Sequence, residues 1–224
     1  MSYEAWSAIG GALTRLVWVE AGLFVFPILI LALGVRNPAG AAIGAITVGA
    51  VGAVEAVVEA IGWLVKWLGL ALVAVIAIVV VQRYVFGISI TKLTESAIYL
   101  HAGLFMLSAG STYLADGHVR VDLFYAKLSD RWKAATDLIG VYLFLIPLCW
   151  VMFDMSQGYV ARAWRVMEGS AETDGLPLVF ALKTLIPVTA VLIVAAGFCI
   201  AARAAFVLRK APLPAHERHE NVVG

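Results

Sequence analysis

Trp63–Val85 reads WLVKWLGLALVAVIAIVVVQRYV, a run whose only charges are Lys66 and Arg83. At ~1.5 Å per helical residue it is long enough to cross the ~30 Å hydrocarbon core of a bilayer. Both cations stand near its ends, where long side chains can reach headgroups. The rest of the chain agrees with this reading. Of 224 residues, 62% are hydrophobic and 14% charged, with a mean hydropathy of +0.95. An average soluble domain is ~45–50% apolar and ~25% charged. Sixteen Lys and Arg oppose 15 Asp and Glu, so no basic field for nucleic acid exists and no acidic tail. A disordered chain, a nucleic-acid binder and a soluble enzyme are excluded. The class is membrane.

Three further segments are long enough to span. They are Thr94–Leu114, Ala135–Met155 and Leu178–Phe206. The first carries Glu95 and His101. In the second, Pro147 is expected to kink a helix. Together with 63–85 they form a four-helix transmembrane core. Ahead of it, Leu16–Val35 carries one charge, Glu20, and Asn37-Pro38 breaks it. Gly40–Ala60 is a weaker Gly/Ala/Val-rich run, with Glu55 and Glu59 at its end and a Gly40-x-x-x-Gly44 pair that permits close helix approach. The expected fold is therefore an all-α integral membrane protein: a four-helix core with an apolar N-terminal extension of one or two further membrane helices. The divisions are 1–60, a membrane-associated or membrane-spanning extension; 61–209, the four-span core; and 210–224, a polar cytoplasmic tail expected to be disordered.

The N-terminal residues do not read as a secretory signal peptide, since Glu4 precedes any basic residue. Cys149 and Cys199 lie in apolar runs and read as small buried hydrophobes. The chain shows no spacing suited to metal or cofactor binding, so none is expected.

Basic residues set orientation in membranes. Lys66, Arg120, Lys127, Arg131, Lys133, Arg203, Arg209, Lys210 and Arg218 fall on one side of the core, nine in all. Five fall on the other: Arg83, Lys92, Arg162, Arg165 and Lys183. Both ends of the core are thus expected in the cytoplasm, with 157–177 outside. Trp63, Trp67, Trp132 and Trp164 are read as interfacial anchors. An extension that crosses once places Met1 outside.

Polar residues in a span mark function or a protein-facing surface. Glu95 reads as one half of an ion pair with Arg83 or Lys92, and His101 as a hydrogen-bonded packing residue. Ser108, Ser111 and Thr112 give the same helix a protein-facing side. The densest polar cluster is Asp116-Gly117-His118-Val119-Arg120-Val121-Asp122, where Asp-Gly ends the helix and an elbow follows. It reads as a paired elbow on headgroups or a partner. No nucleophile, metal set or phosphate loop accompanies it.

Gln82-Arg83-Tyr84-Val85-Phe86-Gly87, then Glu95, then the Asp116–Asp122 elbow, then a span after Arg131, together resemble the small membrane subunit (DctQ-type) of tripartite ATP-independent periplasmic (TRAP) transporters. The resemblance runs over roughly Glu59–Arg209. It implies an accessory, non-enzymatic subunit bound to a large multi-span permease subunit and surrounded by membrane lipid. A periplasmic substrate-binding protein would deliver an organic acid for sodium-driven uptake. On that footing Arg83, Glu95, His118, Arg120 and Asp122 would be structural or interface residues, not substrate ligands. Two other readings compete. One is a self-sufficient small transporter with Glu95 as its ion-coupling carboxylate. The other is a membrane redox subunit using His101 or His118, which lie at different depths and could not hold one haem between them.

Overall fold

A computed structural model describes residues 2–34, 38–117, 125 and 127–211. Among them the structure is all helical. α1 (Ser2–Leu23) and α2 (Val25–Leu33) form one bent rod, followed by α3 (Pro38–Val85) and α4 (Thr91–Leu114). α5 (Asp130–Ile139), a π-helical turn at Gly140–Leu145 and α6 (Ile146–Arg165) form another, and α7 (Val179–Leu208) closes the bundle. Four stretches are long and apolar enough to cross a membrane: Glu4–Leu33, Pro38–Val85, Asp130–Arg165 and Val179–Leu208. The all-α membrane fold expected from the sequence is therefore found, and the N-terminal extension supplies one of these four.

Two prolines shape the bent rods. Pro27 has no N–H to donate and its ring crowds the carbonyl four residues back. The α1–α2 break falls at Phe24, whose carbonyl is taken by the Tyr142 hydroxyl at 2.6 Å. Pro147 acts in the same way on the turn before it. The outcome there is the wide π turn at 140–145, which accommodates the ring without ending the helix.

The second apolar segment of the extension is not a span of its own. It runs on from Pro38 through residue 60 to Val85 as one helix of 48 residues, about 72 Å long. No proline follows Pro38 within it. Gly40, Gly44, Thr47, Val51, Glu55, Val58, Gly62 and Val65 recur every three or four residues and form its buried stripe. The Gly40/Gly44 pair is part of that stripe.

α4 falls short of the other rods in apolarity, because Glu95, His101 and several hydroxyl residues interrupt it. Packing compensates. It lies antiparallel to α3 and parallel to α7, wedged between them. Gly110 meets the Leu192 carbonyl so closely that a Cβ would sit 2.7 Å from it. Gly62 faces the Ser111 side chain in the same way. Ser111 thus faces protein, as its spacing suggested. At the end of α4 the left-handed residue is Asp116 (φ 59°), not Gly117, whose N–H returns to the Thr112 carbonyl at 2.9 Å. Aspartate tolerates that conformation better than most residues.

α7 is the centre. In its most apolar stretch 67% of residues are buried, against 6% for α3. Phe24, Val51, Val58, Leu114, Val141 and Phe198 meet in the largest core cluster, so α2 and the first half of α3 are packed into the bundle. Trp6, at the start of α1, stacks on Trp164 with ring centroids 6.2 Å apart. Ile30, at the end of α2, packs with Ala205 and Phe206 of α7. The α1–α2 rod therefore crosses the bundle once, from the 166–178 end to the end where α7 finishes.

Candidate functional site

Two groups of paired polar side chains lie at the two ends of the bundle. At one end, Glu95 sits in the first turns of α4 opposite the loop joining α6 to α7. Its Oε1 accepts a hydrogen bond from the Ser170 hydroxyl and its Oε2 from the Leu176 backbone N–H at 2.6 Å. The loop closes on itself through Ser170 N–H to the Leu176 carbonyl at 3.0 Å. One carboxylate thus satisfies donors that the loop would otherwise leave to water. Hydrogen bonds to an ionised acceptor are the stronger kind. Lys92 reaches Asp174 at 2.6 Å, but both side chains are over half exposed and this pair adds little. The expected ion pair from Glu95 to Arg83 or Lys92 is replaced by this clamp, because the 166–178 loop comes nearer than either cation. Arg83 is exposed at the end of α3 and makes no hydrogen bond or ion pair with a described residue.

Beside the clamp the loop is anchored a second time. Lys183 Nζ contacts both oxygens of Glu168 at 2.7 and 2.6 Å and lies 4.1 Å from the centre of the Tyr159 ring. The Trp164 indole donates to Thr184 Oγ1 at 2.9 Å, and its ring meets Phe180 edge-on at 4.7 Å. This Trp is an end-of-bundle residue, as its position suggested. Trp63 and Trp67 are not. They form an edge-to-face pair on the outward side of α3, level with the middle of α4. Their placement as boundary residues assumed a helix beginning at 63, whereas it begins at 38. His101 is likewise exposed on α4 instead of packed, and no described residue bonds to it.

At the opposite end Glu55 of α3 and Arg203 of α7 form a close ion pair with side chains 11% and 19% exposed. Cys199, one turn before Arg203, points its thiol at the Val51 carbonyl at 3.9 Å. Next to this pair a cavity of about 700 Å³ is lined by Asp116, Asp130, Lys133, Asp137 and Arg203, with the Tyr125 hydroxyl on Asp137 at 3.0 and 2.9 Å. The elbow residues His118, Arg120 and Asp122 lie outside the described residues.

Reading along the chain missed three of these groups. The Glu55–Arg203 pair was legible only as two ionisable residues of opposite sign in apolar runs. Ser170 and the Leu176 N–H carried no signal, since a loop's backbone donors are placed by the fold. Glu20 was noted as the single charge of its run. It proves to be 8% exposed, in a small apolar cleft with Cys149 and Trp150, and its Oε2 has no hydrogen-bond partner among described residues. No group of three or more His, Cys, Asp or Glu side chains among the described residues is placed to hold a metal ion.

What these ends can do chemically is hold helices and a loop in place. The pattern of the family described as tripartite ATP-independent periplasmic transporters, DctQ component, matches residues 72–207, well over half of the chain. Comparison with curated proteins and with solved structures gives no match. The match begins inside α3 and ends at the last residues of α7, so it takes in the Glu95 clamp, the elbow and Arg203 together. The chain belongs to the DctQ family, the small membrane component of TRAP transporters.

Proposed function

We propose that this chain is the fixed scaffold of its transporter, against which the DctM component, the large permease subunit, moves substrate across the membrane. A DctQ component is a non-enzymatic partner of the DctM and DctP components of a TRAP system. The carrying observation for a static role is that the bundle is tied at both ends. Glu95 holds the 166–178 loop, and Glu55 with Arg203 joins α3 to α7. Glu95 has both oxygens occupied by the loop, which favours a structural tie over ion coupling.

The transported solute in this reading is an organic acid, carried in by a sodium gradient after delivery by the periplasmic binding protein. The distribution of basic residues, with Lys66 set aside because its register with α4 puts it level with Leu107, supports placing the Arg203 end of the bundle in the cytoplasm and the 166–178 loop in the periplasm. The start of α1 is then periplasmic, since Trp6 stacks on Trp164. Arg83, His118, Arg120 and Asp122 are assigned to contacts with partner subunits or headgroups.

The test is uptake by the reconstituted three-component system carrying Arg120→Ala. Slower uptake with an unchanged order of preference among organic acids is expected. A changed order of preference would contradict the scaffold role.

A further inference from the structure

Lys66 presents an unpaired cation at the middle of the bundle's depth. Gly62 lies against Ser111, and Gly69 against Leu104, which fixes the antiparallel register of α3 and α4. In that register Lys66 is level with Leu107. Leu107 stands twelve residues from Glu95 and nine from Asp116, about 18 and 13 Å along the helix. These two carboxylates mark the polar ends of α4. A lysine side chain spans roughly 6 Å, so Lys66 cannot bring its ammonium to either end by bending along the helix. It is exposed, at the edge of the buried stripe four residues after Gly62, and makes no hydrogen bond or ion pair with a described residue.

Its surroundings on that face are apolar. Trp63 is 61% exposed, Trp67 57% and Leu70 64%. A lone ammonium in lipid at this depth costs ~2.5–3.5 kcal/mol by insertion scales. Ionisable residues within membrane helices almost always face protein or a water-filled cavity and have a partner. Glu59, two turns earlier on the same face, is also exposed and makes no such contact with a described residue. It is level with Leu114, near the Asp116 end.

We propose that the Glu59–Trp63–Lys66 face of α3 is the surface that receives a membrane helix of the large permease component, and that this helix carries a carboxylate at mid-depth opposite Lys66. A basic residue toward its cytoplasmic end would complement Glu59, about 10 Å away along the axis. Charge complementarity decides against a second copy of this chain. Two copies inserted in the same orientation and related by a two-fold axis along the membrane normal would set Lys66 against Lys66 and Glu59 against Glu59. The proposal rests on the reading of this chain as the partner of a large permease component. Lys66 also precedes residues 72–207, the part shared with the family, so the contact would be a feature by which this chain selects its own permease.

The experiment co-expresses the full-length chain with its own affinity-tagged large component and measures how much of the chain is recovered. Lys66→Met, which keeps the length of the side chain, is expected to reduce recovery about three- to tenfold, and Lys66→Glu further. Melting of the Lys66→Met chain alone should be unchanged or higher, which separates lost docking from lost folding. Recovery of Lys66→Met at the wild-type level, with the wild-type chain itself recovered, would overturn the proposal while leaving the scaffold reading intact. Failure of the wild-type chain to be recovered would overturn both. A Lys66→Cys chain that forms disulfide-linked dimers with itself in place of a crosslink to the permease would also overturn it.

Discussion

Glu55 on α3 and Arg203 on α7 pair inside the bundle, with less than a fifth of either side chain exposed. The two residues lie far apart in sequence, on helices that share the core cluster around Val51, Phe198 and Cys199. Their pairing ties the first half of α3, which precedes the family-matched segment, to the last turns of the central helix.

Breaking this pair should cost more than removing it whole. Arg203→Met takes away the cation that faces the buried Glu55 carboxylate, a change worth ~3–5 kcal/mol. The double variant Glu55→Met/Arg203→Met should recover most of that loss. Thermal unfolding of the purified chain in lipid nanodiscs compares them. Equal melting temperatures for the single and double variants would contradict the pairing.

The two close glycine contacts should differ in tolerance. At Gly62 an added methyl meets the Ser111 side chain, which can be shortened. At Gly110 it meets the Leu192 carbonyl, which cannot move without shifting α7. Gly110→Ala should therefore destabilise by ~1–3 kcal/mol, as overpacking does, and resist rescue. Gly62→Ala should be rescued by Ser111→Gly. Denaturation midpoints of the three variants check the difference.

Loss of the Glu95 clamp should free the 166–178 loop without unfolding the bundle. Glu95→Ala removes both acceptors, so amide exchange at Ser170 and Leu176 should rise by at least tenfold while α7 stays protected. Hydrogen-exchange mass spectrometry reads both regions at once. Equal protection of the loop in variant and wild type would show that Lys183–Glu168 and Trp164–Thr184 suffice to hold it.

How much of this was legible beforehand follows from what periodicity can report. Apolar length marked α6 and α7, and Pro147 marked one of the two bends, while Pro27 at the other carried no expectation. Membrane helices need no polar face, so 40–60 and 63–85 carried no signal saying whether a break lay between them, and Trp63 was read as a boundary. Opposite charges at Glu55 and Arg203 were visible, but their meeting depends on the antiparallel packing of α3 on α7. Glu95 was visible as a candidate and its partner was not, because a backbone N–H at Leu176 looks like any other in sequence. The elbow at His118–Asp122 carried the family signal and lies outside the described residues.

The position of α1 offers a topological check. With Trp6 on Trp164, the start of the chain and the 166–178 loop lie on one side of the membrane. Single cysteines at positions 5 and 172, in a background lacking Cys149 and Cys199, should both react with a membrane-impermeant maleimide in intact cells. A cysteine at position 210 should react only after the cells are opened. Labelling at 5 and 172 on opposite sides would contradict the single crossing by α1 and α2.

The scaffold role is tested most directly by uptake into proteoliposomes under an inward sodium gradient, with each component omitted in turn. The account predicts uptake of an organic acid only when this chain, the large permease component and the periplasmic binding protein are all present, and none by this chain alone. Concentrative uptake by liposomes containing only this chain would contradict it.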